Sequence, residues 1–167
     1  MFKIIDNSIT KKNQKFLINL MIENRHFPWF FMKDVTKTKD GDQKRPAFSH
    51  YFVLHSKTNS NFFNSVKPIF SKYIRKNIIN FKSILQLPSL DKKTYDTPHI
   101  DMKKPHSVYL YYILDSDGET IFFKNKKIFK KIKPKQGRLV IFNGDILHTA
   151  YQPKKNIRCV ININEEK

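Results

Sequence analysis

The segment at residues 107–123 reads SVYLYYILDSDGETIFF, and its pattern indicates the fold class. Two runs rich in aromatic and β-branched residues, 107–114 and 119–123, flank the turn-forming residues Asp115-Ser116-Asp117-Gly118. This arrangement is typical of two strands joined by a turn. Further extended runs follow residue 78, at about 79–87, 96–102, 127–132, 138–142, 147–151 and 157–163. Eight short strands after two helices predict a barrel or a sandwich.

The N-terminal part of the chain has helical rather than extended patterns. Thr10 is a candidate cap for a helix over about 11–24, and a second helix is expected over about 59–76, with a kink at Pro68. The expected fold class is therefore mainly β with flanking helices, in which two N-terminal helices back the sheet.

The length of 167 residues fits one domain with a single hydrophobic core. We expect residues 1–78 to form a supporting part, with a short strand at 2–5 and a polar loop at 34–46, and residues 79–163 to form the β core. Hydrophobic residues make up 40% of the chain, including fifteen Phe and seven Tyr, which is enough to fill that core.

No apolar stretch is long enough to span a membrane, and the first residues lack the apolar region of a secretory signal. The single cysteine, Cys159, excludes an internal disulfide and lies in an apolar run, as expected of a buried thiol in a reducing compartment. These features predict a cytoplasmic protein that does not bind membranes.

The net charge of +18 comes almost entirely from lysine, since the chain has only five arginines. A basic surface attracts nucleic acid whatever the fold. The densest lysines, which we call the lysine cluster, could form a binding stripe on a hairpin or simply a solvated face, and we favour the solvated face. The lysine cluster consists of Lys124, Lys126, Lys127, Lys130, Lys131, Lys133 and Lys135.

Four residues have the order and spacing of a mononuclear iron site. If residues 97–103 are extended, His99 and Asp101 project from the same face of a strand. His148, from a distant strand, would complete a set of two histidines and one carboxylate, which leaves positions open on a non-haem Fe(II) ion. Arg158 follows on the next expected strand, where its guanidinium could bind a carboxylate through two hydrogen bonds.

The chain resembles small 2-oxoglutarate/Fe(II)-dependent dioxygenases of the prolyl-4-hydroxylase-like type, especially the compact versions found in marine phages and bacteria. The resemblance implies a double-stranded β-helix, which is a distorted, cupin-like jelly roll. It also implies hydroxylation of an unactivated C–H bond, coupled to decarboxylation of 2-oxoglutarate to succinate and CO2. The matching segments are Phe27-Pro28-Trp29, His99-Ile100-Asp101, Tyr111-Tyr112 with 115–120, Pro134–Phe142 with Gly137-Arg138, His148 and Arg158.

The resemblance also implies roles for single residues. His99, Asp101 and His148 match the Fe(II) ligands, and Arg158 matches the residue that pairs with the distal carboxylate of 2-oxoglutarate. Tyr112 matches a tyrosine that adds a hydrogen bond to that carboxylate; strand alternation would put Tyr109 and Tyr111 on the opposite face. The implied cofactors are Fe(II), the cosubstrate 2-oxoglutarate and O2, and ascorbate is a candidate stimulant. Leu114 stands where related sequences often have Asn.

We expect the substrate to be a peptidyl or free amino acid such as proline. Tyr95, in the loop 88–98, and Trp29 are candidates for contact with it, whereas we expect His106 to be an exposed loop residue. The loops 34–46 and 88–98 and the segment after Asp101 are expected to cover the mouth of the barrel.

Three alternatives stay open. The first is an oxygenase of nucleic-acid bases, although the paired arginines of that branch are absent near the C-terminus, where only Arg158 occurs. The second is a non-oxidative, cupin-like metal-binding protein, which would have no need of an arginine for a cosubstrate. The third is a basic nucleic-acid-binding protein in which the histidines and aspartate match by chance.

Overall fold

The computed structural model of the chain describes residues 1–35, 45–89 and 95–167. In these ranges the chain forms eleven strands and two short helices. The first strands and helices are β1 (Phe2–Ile5), α1 (Lys11–Ile18), β2 (Phe30–Met32), β3 (Ala47–Leu54), β4 (Lys57–Thr58) and α2 (Phe63–Val66). The remaining strands are β5 (Ile78–Gln86), β6 (His106–Tyr112), β7 (Thr120–Lys124), β8 (Lys127–Ile132), β9 (Leu139–Asn143), β10 (His148–Ala150) and β11 (Arg158–Glu166).

The strands form two antiparallel sheets. The large sheet has the order β1-β9-β6-β11-β5-β3-β2, with β4 paired to β3, and the small sheet has the order β10-β7-β8. The irregular segment 113–119 carries the chain from β6 in the large sheet to β7 in the small one. The chain then alternates between the sheets through β9, β10 and β11. This is the predicted jelly roll.

One apolar cluster lies between the two sheets, and a second lies on the other face of the large sheet. Val108, Leu110 and Tyr112 of β6 contribute to the first cluster, whereas Tyr109 and Tyr111 contribute to the second. Successive side chains of a strand point to opposite faces, so β6 is buried on both sides. Tyr112 therefore faces the space between the two sheets, and Tyr109 and Tyr111 face the opposite side of the large sheet.

The second cluster is covered by the N-terminal helices, as predicted. Thr10 caps α1, because its hydroxyl accepts a hydrogen bond from the amide of Asn13 at 3.2 Å. The helix continues through a π-helical turn at Asn19–Glu23. Leu17 and Met21 project from it into the cluster. The predicted end at residue 24 is thus correct within one residue.

The predicted helix over 59–76 is much too long. Only α2 and a following 3-10 turn, Lys67–Phe70, are helical. Pro68 lacks a backbone N–H and cannot continue the α-helical hydrogen-bond pattern. Val66 and Phe70 nevertheless pack against the large sheet as the helical spacing predicts.

Two extended segments also differ from the sequence analysis. The strand β3, which pairs with β5 and widens the large sheet, was not predicted. Residues 96–102 do not form a strand; within this range the structure has one isolated bridge, at His99. Pro98 offers no N–H for a ladder, which limits the pairing on this side.

The domain division and parts of two predicted loops remain predictions. The division of the chain at residue 78 stays a prediction, although β1, β2 and β3 share one sheet with strands of the later part. Most of the predicted loop 34–46 and part of the loop 88–98 lie outside the described residues. Among the residues described, no helix is long and apolar enough to cross a membrane. Cys159 is a buried free thiol.

Candidate metal centre

His99 and His148 are brought together by their backbones. Each amide donates a hydrogen bond to the carbonyl of the other residue, at 2.9 Å in both directions. Directly opposed residues of an antiparallel pair point their side chains to the same face. The two imidazole rings consequently lie 4.8 Å apart between their centroids.

Asp101, two residues after His99, joins the pair. Its Oδ1 lies 3.8 Å from His99 Nε2 and 3.9 Å from His148 Nε2. One ligand atom from each of the three residues lies within 4.8 Å of the others. The three residues predicted as metal ligands are therefore clustered, even though the segment is not a strand.

Two asparagines of β11 orient the carboxylate of Asp101. The side-chain amides of Asn162 and Asn164 donate to Oδ2 of Asp101, at 3.2 and 2.8 Å. Because Oδ2 is thus occupied, Oδ1 faces the two imidazoles. Neither asparagine was predicted from the sequence as part of the site. Their signal was two polar residues at alternate positions of an otherwise apolar strand, which places both on the inner face.

Backbone carbonyls orient both histidines so that Nε2 is the atom available to a metal. His99 Nδ1 lies 3.2 Å from the carbonyl oxygen of Thr97, and His148 Nδ1 lies 3.0 Å from that of Ile146. A carbonyl oxygen only accepts, so each Nδ1 must donate its proton. In a neutral ring this leaves the lone pair on Nε2, the atom that lies 3.8 Å (His99) or 3.9 Å (His148) from Asp101 Oδ1.

The charge states of the cluster also suit a metal. Burial alone would raise the pKa of Asp101, but the nearby His148, Lys82 and His99 and the hydrogen bond from Asn164 outweigh it, so the pKa lies well below its usual value. Burial lowers the pKa of His148, although Asp101 opposes this. An ionised carboxylate and a neutral imidazole are the forms that bind a metal.

Arg158 is buried, with only 4% of its surface exposed, and its guanidinium is held on three sides. Nε donates to the carbonyl of Gly118 at 2.9 Å, Nη1 to Gln86 Oε1 at 2.7 Å, and Nη2 to Thr120 Oγ1 at 2.9 Å. These bonds use three of the five N–H groups of an arginine. One N–H on each Nη atom is left, which is the pair that a carboxylate can accept.

Tyr112 supports this arrangement from the apolar cluster. Its hydroxyl donates to Thr120 Oγ1 at 2.7 Å, and its ring centroid lies 5.9 Å from the guanidinium carbon of Arg158. Tyr112 is fully buried and does not line the cavity. The structure thus places it next to Arg158, where Thr120 connects it to the cavity.

A single cavity of about 70 Å³ connects the triad with Arg158. Its wall also contains residues that were not predicted from the sequence, among them Lys82 and Gln86 on β5 and Asp96. Lys82 and Gln86 are four residues apart on β5, so their side chains lie on the same face of the strand, which is the face towards the cavity.

Asp96 is a buried carboxylate in this wall. Arg45 Nη1 donates to its Oδ1 at 2.9 Å, and Gln86 Nε2 lies 3.5 Å from its Oδ2. Burial raises the pKa of Asp96, and the charge of Arg45 only partly offsets this. Gln86 therefore bridges Asp96 and Arg158, since its carbonyl accepts from one while its amide approaches the other.

Other residues selected from the sequence lie elsewhere. Trp29 donates from Nε1 to the carbonyl of Met21 at 3.0 Å and packs against the second cluster. The ring of Tyr95 contacts those of Phe123 and Tyr151, with centroids 5.7 and 5.9 Å away. Neither Trp29 nor Tyr95 is among the described residues that line the cavity.

The expectation that His106 is an exposed loop residue is wrong, since it begins β6 with only 2% of its surface exposed. Its ring packs on Gly144, where any Cβ would collide with it.

The comparisons with solved structures identify the fold. A viral collagen prolyl hydroxylase from Paramecium Bursaria Chlorella virus-1, in complex with 2OG, matches with a TM-score of 0.60 at 16% identity, over 99% of this chain and 96% of that chain. An oxidoreductase of the 2OG-Fe(II) oxygenase family from Burkholderia pseudomallei matches with a TM-score of 0.74 at 10% identity, over 98% and 84%.

A third match is a prolyl hydroxylase from Trichoplax adhaerens, bound to a hypoxia inducible factor peptide fragment. It has a TM-score of 0.67 at 14% identity, over 99% of this chain and 83% of that chain. No protein-family model matches the chain, and neither does any curated protein. The chain therefore has the double-stranded β-helix fold shared by these structures.

Proposed function

We propose that this chain, which has the fold of the 2-oxoglutarate/Fe(II) oxygenases, is an enzyme of that class. It would hydroxylate an unactivated C–H bond and decarboxylate 2-oxoglutarate to succinate and CO2. The observation that carries the proposal is that one cavity is lined both by His99, Asp101 and His148 and by Arg158.

The three clustered residues fit a ferrous ion. Two neutral imidazoles and one carboxylate are the facial set of non-haem Fe(II) oxygenases, and they leave three positions open. His99 and His148 would bind through Nε2, and Asp101 through Oδ1, because their other polar side-chain atoms are already in hydrogen bonds. When bound, iron supplies the reaction with O2, and ascorbate would help to keep it ferrous.

The rest of the cavity fits 2-oxoglutarate. Arg158 offers a buried guanidinium with one N–H left on each Nη atom, and Thr120 and Tyr112 fix its position. The cavity thus has an end that binds an anion and an end that binds a metal. A cosubstrate with a distal carboxylate at one end and a chelating 2-oxo acid at the other matches both.

Peptidyl or free amino acids, proline among them, are the proposed substrates. Two of the structural matches support this class: one is a collagen prolyl hydroxylase and the other is a prolyl hydroxylase bound to a peptide. A cytoplasmic location remains a prediction from the sequence.

The alternatives are weaker on chemical grounds. A non-oxidative, cupin-like protein does not need a buried guanidinium, such as that of Arg158, to bind a cosubstrate. An oxygenase of nucleic-acid bases would use a basic surface. Most residues of the lysine cluster lie on the hairpin of β7 and β8, and β8 is mostly exposed. However, none of the seven lysines lines the cavity.

An anaerobic titration tests the proposal. Fe(II) and then 2-oxoglutarate are added to the purified protein, and the visible charge-transfer band of a chelated 2-oxo acid is recorded. We expect a band that requires both additions, weakens in Arg158→Ala and is unchanged in Arg25→Ala, a substitution at an exposed arginine. Metal binding without the band would favour the cupin-like alternative, and no metal binding would remove the proposal.

A further inference from the structure

Lys82 is a lysine on the inner face of β5, the face that lines the cavity. It pairs with Asn162 of β11 on one side and with Tyr51 of β3 on the other. Its side chain lines the same cavity as the metal triad. Gln86, which holds Arg158, is four residues further along β5, which corresponds to roughly 13 Å. Lys82 and Arg158 thus lie at different ends of the cavity.

The ammonium group of Lys82 is not needed to satisfy Asp101. Asn162 and Asn164 already donate to that carboxylate. Among the described residues, no carboxylate lies within 4.0 Å of Lys82 Nζ. Its described neighbour is the ring of Tyr51, whose centroid is 5.6 Å from Nζ. Lys82 is half-buried and lines the cavity, and an ammonium carries three N–H donors.

The charges in the cavity point to a further anion. With Fe(II) and 2-oxoglutarate bound, the metal, Asp101, the two carboxylates of the cosubstrate and Arg158 together carry no net charge. Asp96 is compensated by Arg45. Lys82 adds one positive charge to this balanced set, and a carboxylate is the group that would neutralise it.

We propose that Lys82 anchors the prime substrate, and that this substrate carries a carboxylate close to the C–H bond that is oxidised, as a free amino acid does. This inference rests on the proposed oxygenase function and narrows its substrate class. A single ammonium matches a singly charged carboxylate, whereas a phosphate would call for more donors. An internal residue of a peptide has no carboxylate on its backbone and would leave Lys82 without a partner.

Binding under anaerobic conditions tests the inference without turnover. The protein is loaded with Fe(II) and 2-oxoglutarate, and the charge-transfer band verifies the loading. The common L-amino acids are then titrated by calorimetry, and each one that binds is compared with its carboxamide. We expect at least one acid to bind about tenfold or more tightly than its amide.

Variants at two lysines identify the group responsible. Lys82→Met should weaken binding of the acid by about 10- to 100-fold while the amide changes by less than about twofold, and Lys82→Arg should retain most of the preference. Lys72→Met is the matched control, because Lys72 also lies over a tyrosine, with Nζ 4.8 Å from the ring of Tyr73, but does not line the cavity.

The outcomes distinguish failure of this inference from failure of the proposed oxygenase function. A band that persists in Lys82→Met shows that this variant is folded and loaded. Equal binding of acid and amide, no binding of any acid, or an unchanged acid affinity in Lys82→Met would overturn the inference and leave the oxygenase proposal standing. Absence of the band from the unsubstituted protein would overturn both.

Discussion

The amide of Asn164 donates to Oδ2 of Asp101 at 2.8 Å, and this contact leaves Oδ1 facing His99 and His148. The donor lies on β11 and the acceptor on the segment before β6, so the metal ligand is positioned by a strand that is far away in sequence. Asn162 donates to the same oxygen and also accepts from Asn164 at 3.2 Å. The carboxylate is therefore fixed before any metal arrives.

Asn164→Leu should weaken Fe(II) binding by about 10- to 100-fold, because groups that orient metal ligands contribute on that scale. The substitution keeps the shape of the side chain and removes its donor. The measurement is an anaerobic Fe(II) titration. Asn77→Leu, at an exposed asparagine, is the control. An Fe(II) affinity equal to that of the unsubstituted protein would refute the assigned role.

Asp101→Ala should abolish iron-dependent turnover, since it removes the only anionic group of the clustered triad. The loss should appear both in Fe(II) binding and in formation of succinate from 2-oxoglutarate. His26→Ala, at an exposed histidine, should behave like the unsubstituted protein. Turnover that survives in the double variant His99→Ala with Asp101→Ala would rule out the proposed metal site.

Thr120→Val should raise the KM for 2-oxoglutarate by about tenfold, with a smaller change in kcat. Thr120 Oγ1 accepts from both Tyr112 and Arg158, and valine leaves these two buried donors without that acceptor. The guanidinium should then lose its fixed orientation. Steady-state kinetics at varied 2-oxoglutarate provides the test, with the exposed Thr58→Val as control. An unchanged KM would mean that Gln86 and Gly118 alone hold Arg158.

Asp6 should make stability depend on pH. The hydrogen bond from Arg138, supported by Lys135, lowers the pKa of Asp6 from 3.8 to about 2 although burial opposes it. A carboxyl whose pKa is lower in the folded state stabilises the protein above the unfolded pKa. That contribution is therefore present above about pH 4 and is lost as the pH falls towards 2.

Asp6→Asn should consequently cost a few tenths to about 1 kcal/mol of unfolding free energy at pH 7, because the pair is largely exposed and screened. The difference from the unsubstituted protein should shrink as the pH falls from about 4 through about 2. Denaturant unfolding across this pH range measures it, and Asp145→Asn at an exposed site is the control. A difference that is constant with pH would contradict the assignment.

Local patterns were informative wherever a short segment determines its own geometry. The cap at Thr10 and most strands after residue 78 follow from capping chemistry and alternation, and the structure has them nearly where they were predicted. The helix over 59–76 failed because its spacing was right for burial but Pro68 prevents a continuous backbone pattern. The strand β3 was missed, although its pairing with β5 is one of the main contacts of the large sheet.

The order of His99, Asp101, His148 and Arg158 made them recognisable in the sequence, since residue type and spacing carry the chemistry of a metal site. The roles inferred here for Asn162, Asn164, Gln86 and Lys82 were not recognisable. Each role depends on which residues the register of β5 and β11 places opposite one another. The function of an amide or an ammonium group cannot be predicted until its neighbours are known. The sequence alone therefore determined which groups could hold a metal and an anion. The tertiary structure decided how the carboxylate and the guanidinium are oriented. Amides of β11 leave Oδ1 of Asp101 free, and Gln86, Gly118 and Thr120 leave one N–H on each Nη atom of Arg158.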